Sequence, residues 1–279
     1  MKKIGILAII LGLFFTSIAF SAGQPSFKKV ILIVLENENA ENALSKPFLK
    51  SLTEKGTYLS NYRAIRHPSQ PNYLALVSGS THHIKDDSNV TVVGQHIGDL
   101  LDAKGMSWKN YAEGYPGGCN LSKSIGKYAR KHVPFLSFNN IQVNNARCAQ
   151  HIVPAEEFDK DVASGNLPDF SFYTPDENND GHDTGVAYAD QWLKKRFGAL
   201  LEDPKFMQDL LFVVTFDEGT YFSSNRVYTV LLGSEIKAGV KLTDAYNHYS
   251  LLRTIEDGLN IGSLEMGDRD ARPILLNGN

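Results

Sequence analysis

Two apolar runs in this 279-residue chain end directly in acidic residues: Val30 to Leu35 meets Glu36 and Asn37, and Leu210 to Phe216 meets Asp217 and Glu218. If both runs are buried strands of one sheet, their acidic ends gather at one edge, where like-charge repulsion opposes ionisation unless something neutralises it. The repetition therefore predicts a bound cation. Taken singly, an acidic residue after a strand is a helix cap or a solvated loop residue. A third segment, Arg66-His67-Pro68-Ser69-Gln70-Pro71-Asn72-Tyr73, sets a serine in a proline-locked turn ahead of a helix, where free backbone amides and the helix dipole favour an oxyanion or a phosphate. Ser69 is the candidate nucleophile. A bland alternative makes it only the N-cap of that helix. There is no G-x-S-x-G elbow and no evident Ser-His-Asp order, so activation by a metal is the simpler route.

Pro175 to Gly185 is the densest polar stretch. Asp176, Asn178, Asp180 and Gly181 match the first half of an EF-hand loop, yet Ala187 stands where that loop needs a bidentate glutamate. The other functional reading makes His182 a phosphate contact, a general acid or a second-metal ligand, oriented by Asp180 or Asp183. A structural turn is the remaining possibility. His248, following Asn247 at the start of the last helix, either serves the same pocket as a neutral imidazole or merely caps that helix. His82, His83, His96 and His151 lack carboxylate-rich surroundings and read as surface or packing residues.

The elements that must position these groups alternate between strand and helix. Strands are expected at Val30 to Leu35, from Tyr58, at Trp108 to Tyr111, Phe170 to Tyr173, Leu210 to Phe216 and Val227 to Leu232. Helices are expected at Pro47 to Lys55, Asn72 to Val77, Val93 to Lys104, Val186 to Leu201 and His248 to Leu259. The alternation predicts an α/β fold with a predominantly parallel central sheet, whose ligands bind beyond the carboxyl ends of the strands. Gly114 to Gln150 is irregular and reads as an excursion over the sheet edge.

Composition narrows the setting. A hydrophobic content of 42% suffices for one large core, and a net charge of −3 gives no field that would recruit nucleic acid or an anionic membrane. Lys2 and Lys3, the apolar stretch Ile4 to Phe20 and the small residues that follow read as a signal peptide over residues 1–22, with one catalytic domain over 23–279. That leader predicts a secreted or periplasmic protein with no stable membrane insertion once it is cleaved; retention as an N-terminal anchor is the alternative. In an oxidising compartment, the two cysteines of the chain, Cys119 and Cys148, are expected to form a disulfide.

Taken in order, Leu35-Glu36-Asn37-Glu38-Asn39, His67 to Leu76 with Ser78-Gly79, Asp180 to Gly185, Phe216 to Gly219 and His248 to Glu256 resemble the phosphoesterase family of acid phosphatases and phosphocholine-type phospholipases C, within the alkaline phosphatase superfamily. The resemblance implies an alkaline phosphatase-like α/β fold with helices on both faces of the sheet. It implies a metal held by Glu36, Asn37, Ser69, Asp217 and Glu218, with Ser69 phosphorylated in turnover and His182 and His248 as catalytic groups. His67, Asn72, Asp180 and Asp183 are then expected on the substrate. Such an all-oxygen set suits one Mg²⁺, Mn²⁺ or Ca²⁺ better than Zn²⁺. Asp176 stands further ahead of His182 than in the superfamily's nucleotide pyrophosphatases, which leaves a second metal open. The expected activity is hydrolysis of small phosphate monoesters. A phospholipase C or other phosphodiesterase is the second reading, and a secreted metal-binding protein without turnover the third.

Overall fold

Strand β1, Lys29–Leu35, is apolar at every position after its first residue, and all of Val30 to Leu35 are fully buried. Such a strand needs both faces covered, which a parallel sheet between two layers of helices supplies. The structure, a computed structural model, describes residues 27–276, so the expected leader lies outside the described residues.

Among the described residues, seven further strands join the central sheet: β2 (Thr57–Leu59), β3 (Trp108–Ala112), β4 (Ile152–Pro154), β5 (Phe170–Thr174), β6 (Leu210–Phe216), β7 (Thr229–Leu232) and β8 (Val240–Leu242). Their order is β8-β2-β7-β6-β1-β5-β3-β4. Every neighbouring pair runs parallel except those made by β7, which is antiparallel to both β6 and β2. Val227 and Tyr228 precede β7 as buried residues outside the strand, shortening the expected element.

Adjacent residues of β5 show the two layers, because successive side chains of a strand point to opposite faces. Phe172 packs beside Tyr73 and Phe135. Tyr173, its neighbour, meets Phe158, Trp192 and Phe197 on the other face. The principal helices in chain order are α1 (Pro47–Lys55), α2 (Ser69–Ser78), α3 (Ile97–Ala103), α4 (Asn145–His151), α5 (Glu156–Ser164), α6 (Val186–Leu201) and α7 (His248–Leu259).

Helix α2 starts at Ser69 itself, ahead of the expected Asn72, because Pro71 falls in the first turn, where no intrahelical amide donor is required. All ten of its residues are buried, between the sheet, α7 and the turns at 130–137. It ends at Gly79 with φ +65°, and an added Cβ there would lie 2.2 Å from Asp268 Oδ1, so only glycine fits. Helix α3 begins four residues later than expected: a capping box between His96 and Asp99 starts it at Ile97, while Val93 is exposed.

The excursion at 114–150 holds a short hairpin, two 3₁₀ turns and α4, and Cys119 and Cys148 are joined in a disulfide. Buried Arg130 fastens it both within and without, donating to the carbonyls of Leu136 at 2.8 Å and, outside the excursion, Val90 at 3.1 Å.

Candidate active site

The register Leu35↔Phe216 brings the ends of β1 and β6 level, so Glu36-Asn37 and Asp217-Glu218 emerge side by side. Asn37 turns the chain with φ +54°, a left-handed conformation that asparagine tolerates, and its amide donates to Asp217 Oδ1 at 3.1 Å. Ser69 Oγ donates to Glu36 Oε2 at 3.0 Å and lies 3.4 Å from Asn37 Oδ1. Its hydroxyl therefore does not cap α2. Asp87 Oδ1 takes that part instead, accepting from the Gln70 amide at 3.0 Å.

Burial is nearly complete for Glu36, Ser69, Asp217 and Glu218, and the carboxylates oppose one another's ionisation. Burial and the charges of Glu36 and Glu218 push Asp217 well above the usual carboxylate range. Burial, with the charges of Glu36 and Asp87, pushes Glu218 up to about 8. For Glu36 burial works in the same direction but is outweighed by the His132 imidazolium, Lys131 and the Tyr73 hydroxyl, which hold it at about 2. Asp217 Oδ2 is buried without a hydrogen-bond partner among the described residues. A divalent cation fits this arrangement, since it would satisfy that orphaned oxygen and relieve the repulsion, and the donors are hard oxygens.

The groups beyond Ser69 divide into those that face this cluster and those that support it. His67 Nδ1 lies 2.9 Å from Glu218 Oε2. Asn72, expected on the substrate, mainly braces the loop ahead of α2: Oδ1 accepts from the amides of Ile65 and Arg66 at 3.0 and 3.1 Å, and Nδ2 donates to Arg66 O at 2.7 Å while lying 3.4 Å from Glu218 Oε2. His248 is likewise displaced from its expected catalytic part. It is fully buried, with Nε2 donating to the Asp217 carbonyl at 2.7 Å and Nδ1 accepting from Tyr62 Oη at 2.9 Å, so neither nitrogen can reach a leaving group. Burial lowers its pKa to about 4, consistent with a neutral ring that fixes the turn carrying Asp217.

His132 is the group that sequence reasoning missed. It comes from the turn Arg130–His132 of the excursion and is buried, its ring stacked on Tyr73 at 5.0 Å between centroids. Its Nε2 is 3.3 Å from Glu36 Oε1 and its Nδ1 3.4 Å from Asp180 Oδ2. Burial disfavours its charge, but the two carboxylates override this and raise its pKa to about 10. Glu36, His132 and Asp180 also lie close enough to hold an ion. The sole signal in the sequence was a Lys-His pair within an irregular segment. Asp180, raised to about 6 by burial and by the charge of Glu36, accepts from the His182 amide at 2.7 Å. His182 is partly exposed, its Nδ1 held by Asp183 at 2.8 Å, and Asp183 is held in turn by Lys127 at 2.6 Å. The ring of His182 stands 6.4 Å from that of His132.

A model of the phosphoesterase family matches residues 42–262. A Kluyveromyces lactis protein named "Probable acid phosphatase" is 39% identical over 267 residues, covering 91% of this chain and 63% of its own. The Aspergillus fumigatus acid phosphatase is 35% identical, with 87% and 57% covered. A Mycobacterium tuberculosis phosphatidylinositol-3-phosphatase is 34% identical, with 85% and 78% covered. The chain thus spans about three-fifths of the two fungal proteins. Among solved structures, a Vibrio parahaemolyticus member of the alkaline phosphatase superfamily aligns with a TM-score of 0.60 at 13% identity, over 88% of this chain and 72% of its own. A phosphonate monoester hydrolase of Agrobacterium radiobacter aligns at 0.61 and 11%, over 90% and 77%. These two likenesses are of fold.

Proposed function

Because the chain belongs to the phosphoesterase family, we propose that it is an exported, metal-dependent phosphatase that cleaves small phosphate monoesters through a phosphoserine at Ser69. The observation that carries the reading is the Ser69 hydroxyl, 3.0 Å from Glu36 Oε2, at the helix start that faces the orphaned carboxylate oxygen of Asp217. Glu36, Asn37, Ser69, Asp217 and Glu218 would hold one hard divalent ion, Mg²⁺, Mn²⁺ or Ca²⁺. When bound, that ion supplies positive charge that favours the ionised serine and offsets charge on the phosphoryl oxygens.

The remaining steps belong to side chains of this protein. Glu36 accepts the serine hydroxyl's hydrogen bond, aims an oxygen lone pair outward, and passes the serine's proton to solvent as the Oγ–P bond forms, returning one to Oγ when that bond breaks. His132, kept cationic between Glu36 and Asp180, places a fixed positive charge beside the reacting centre. His182 is oriented through Nδ1 by Asp183, leaving Nε2 to protonate the departing alkoxide oxygen and then to take a proton from the water that releases phosphate. His67, against Glu218, lines the same opening. A single catalytic domain over 23–279 and a cleaved leader over 1–22 complete this reading, supported by the disulfide, as an oxidising compartment would allow.

The test is release of inorganic phosphate from an aryl phosphate, with and without chelator, by the wild type and Ser69→Ala. Release that falls with chelator, returns with added divalent ion and drops at least a thousandfold in the variant is expected. Normal turnover by Ser69→Ala would remove the serine from the mechanism. Activity confined to a phosphocholine diester would favour the phospholipase reading.

A further inference from the structure

The turn that follows the acidic end of β6 carries two aromatic rings that the chemistry above does not use. Tyr221 is 71% exposed and Phe222 98% exposed, and their rings meet edge to face at 5.2 Å. An isolated surface phenylalanine is ordinary. Here the pair is seated on the site: the Tyr221 ring lies 5.4 Å from that of His67, which in turn faces Glu218.

The loop is held there by hydrogen bonds on both sides. Gly219 donates to Asn225 Oδ1 at 2.8 Å, and Thr220 and Asn39 exchange bonds at 2.8 and 3.2 Å. Asn225 Nδ2 donates to Arg66 O at 3.3 Å, Ala64 N to Asn225 O at 3.0 Å, and Arg63 Nη1 to Ser224 O at 2.6 Å. Both ends of the turn that carries the rings are thereby held against the segment that presents Ser69.

Behind Ser69 the space is taken by buried groups, Tyr73 Oη bonding Glu36 and Asn72 Nδ2 lying 3.4 Å from Glu218 Oε2, so an ester whose phosphorus sits at Ser69 sends its alcohol portion outward. Asp87, which accepts from the Gln70 amide next to Ser69, lines a small charged cleft with Lys123, Lys131 and Glu177, and Lys131 and Asp87 already pair there at 3.2 Å. Tyr221, against His67, and Phe222 beside it offer apolar surface instead. Resting on the phosphatase reading of this site, we propose that Tyr221 and Phe222 are a platform for the substrate's leaving group, so that the preferred esters are those of apolar, aromatic or long-chain alcohols.

Ethyl and octyl phosphate test this, since their leaving alcohols have nearly the same acidity and differ in apolar surface. Below the concentration at which octyl phosphate forms micelles, kcat/KM of the wild type should favour the octyl ester by about tenfold or more, the effect of covering roughly half of an aromatic side chain. In Phe222→Ser the ratio should fall, and in the double variant Tyr221→Ser/Phe222→Ser it should approach one. A wild type without preference, or a preference that survives both substitutions, overturns the proposal. So does vesicle binding that the double variant loses while the octyl-to-ethyl ratio stays unchanged, which would assign the rings to a membrane surface. Failure of the phosphatase reading is distinguishable, because no protein would then release phosphate from either ester.

Discussion

Asp217 is the side chain whose surroundings ask most plainly for a ligand. One oxygen accepts from the Asn37 amide, the other is buried without a partner among the described residues, and Glu36 and Glu218 press on it with like charge. Removing its charge should therefore relieve the metal-free protein and disable the ion-loaded one. In chelator, Asp217→Asn is expected to melt above the wild type; with millimolar Mg²⁺, Mn²⁺ or Ca²⁺ the wild type should gain several degrees and the variant almost none. Equal ion-induced shifts in both proteins would exclude Asp217 as a ligand. The acidic strand ends were legible in sequence because an apolar run that stops at a carboxylate is a local pattern. His132 was not, since its place between Glu36 and Asp180 depends on a turn from a distant excursion. His248 misled for a related reason: sequence reveals an imidazole near a helix start but not that Tyr62 and the Asp217 carbonyl occupy both of its nitrogens.

At the scale of elements, the long buried strands and the helices Pro47–Lys55, Val186–Leu201 and His248–Leu259 were readable from periodicity and end signals. Short edge strands such as Ile152–Pro154 and Val240–Leu242 were not, because three residues carry too little pattern to stand out. The excursion that brings His132 to the site is tied by the Cys119–Cys148 disulfide across a separation of 29 residues. Closing a loop of that length is worth about 3 to 4 kcal/mol in the chain-entropy account. Cys119→Ser/Cys148→Ser should accordingly lower the denaturation midpoint, and an unchanged midpoint would show that the excursion is held without the bond.

Helix α7 supplies a second test at this scale. Burial, with the negative charge of Asp268, raises Glu256 to about 9, and neither of its oxygens finds a donor among the described residues. A carboxyl raised in the folded state keeps a proton that the unfolded chain gives up, so stability is greatest below the ordinary carboxyl pKa near 4.5 and declines as pH rises toward 9. Urea midpoints should therefore fall from pH 5 to pH 8 in the wild type, and Glu256→Gln should flatten that fall. An identical slope in the variant would place the pH dependence elsewhere.

For the whole molecule, a parallel arrangement of β1, β5 and β6 lets residues from distant parts of the chain arrive at one edge: Glu36 and Asn37, Asp180, Asp217 and Glu218 all follow the ends of these three strands. Helix α2 and the excursion then add Ser69 and His132 from one face. The alternation of strands and helices made this architecture legible, while the reversed direction of β7 was hidden, because antiparallel pairing leaves no mark on a fully buried strand. Ser69 as the phosphoryl acceptor is the claim on which the proposed chemistry rests. Its most direct test is to mix the ion-loaded protein with a fast-reacting aryl phosphate, quench in acid within milliseconds, and sequence the tryptic peptide His67–Lys85 by mass spectrometry. One phosphoryl group localised to Ser69, absent when substrate is omitted, is the predicted result. An unmodified peptide during active turnover, or a phosphoryl group on Ser78, Ser80 or Thr81, would contradict it.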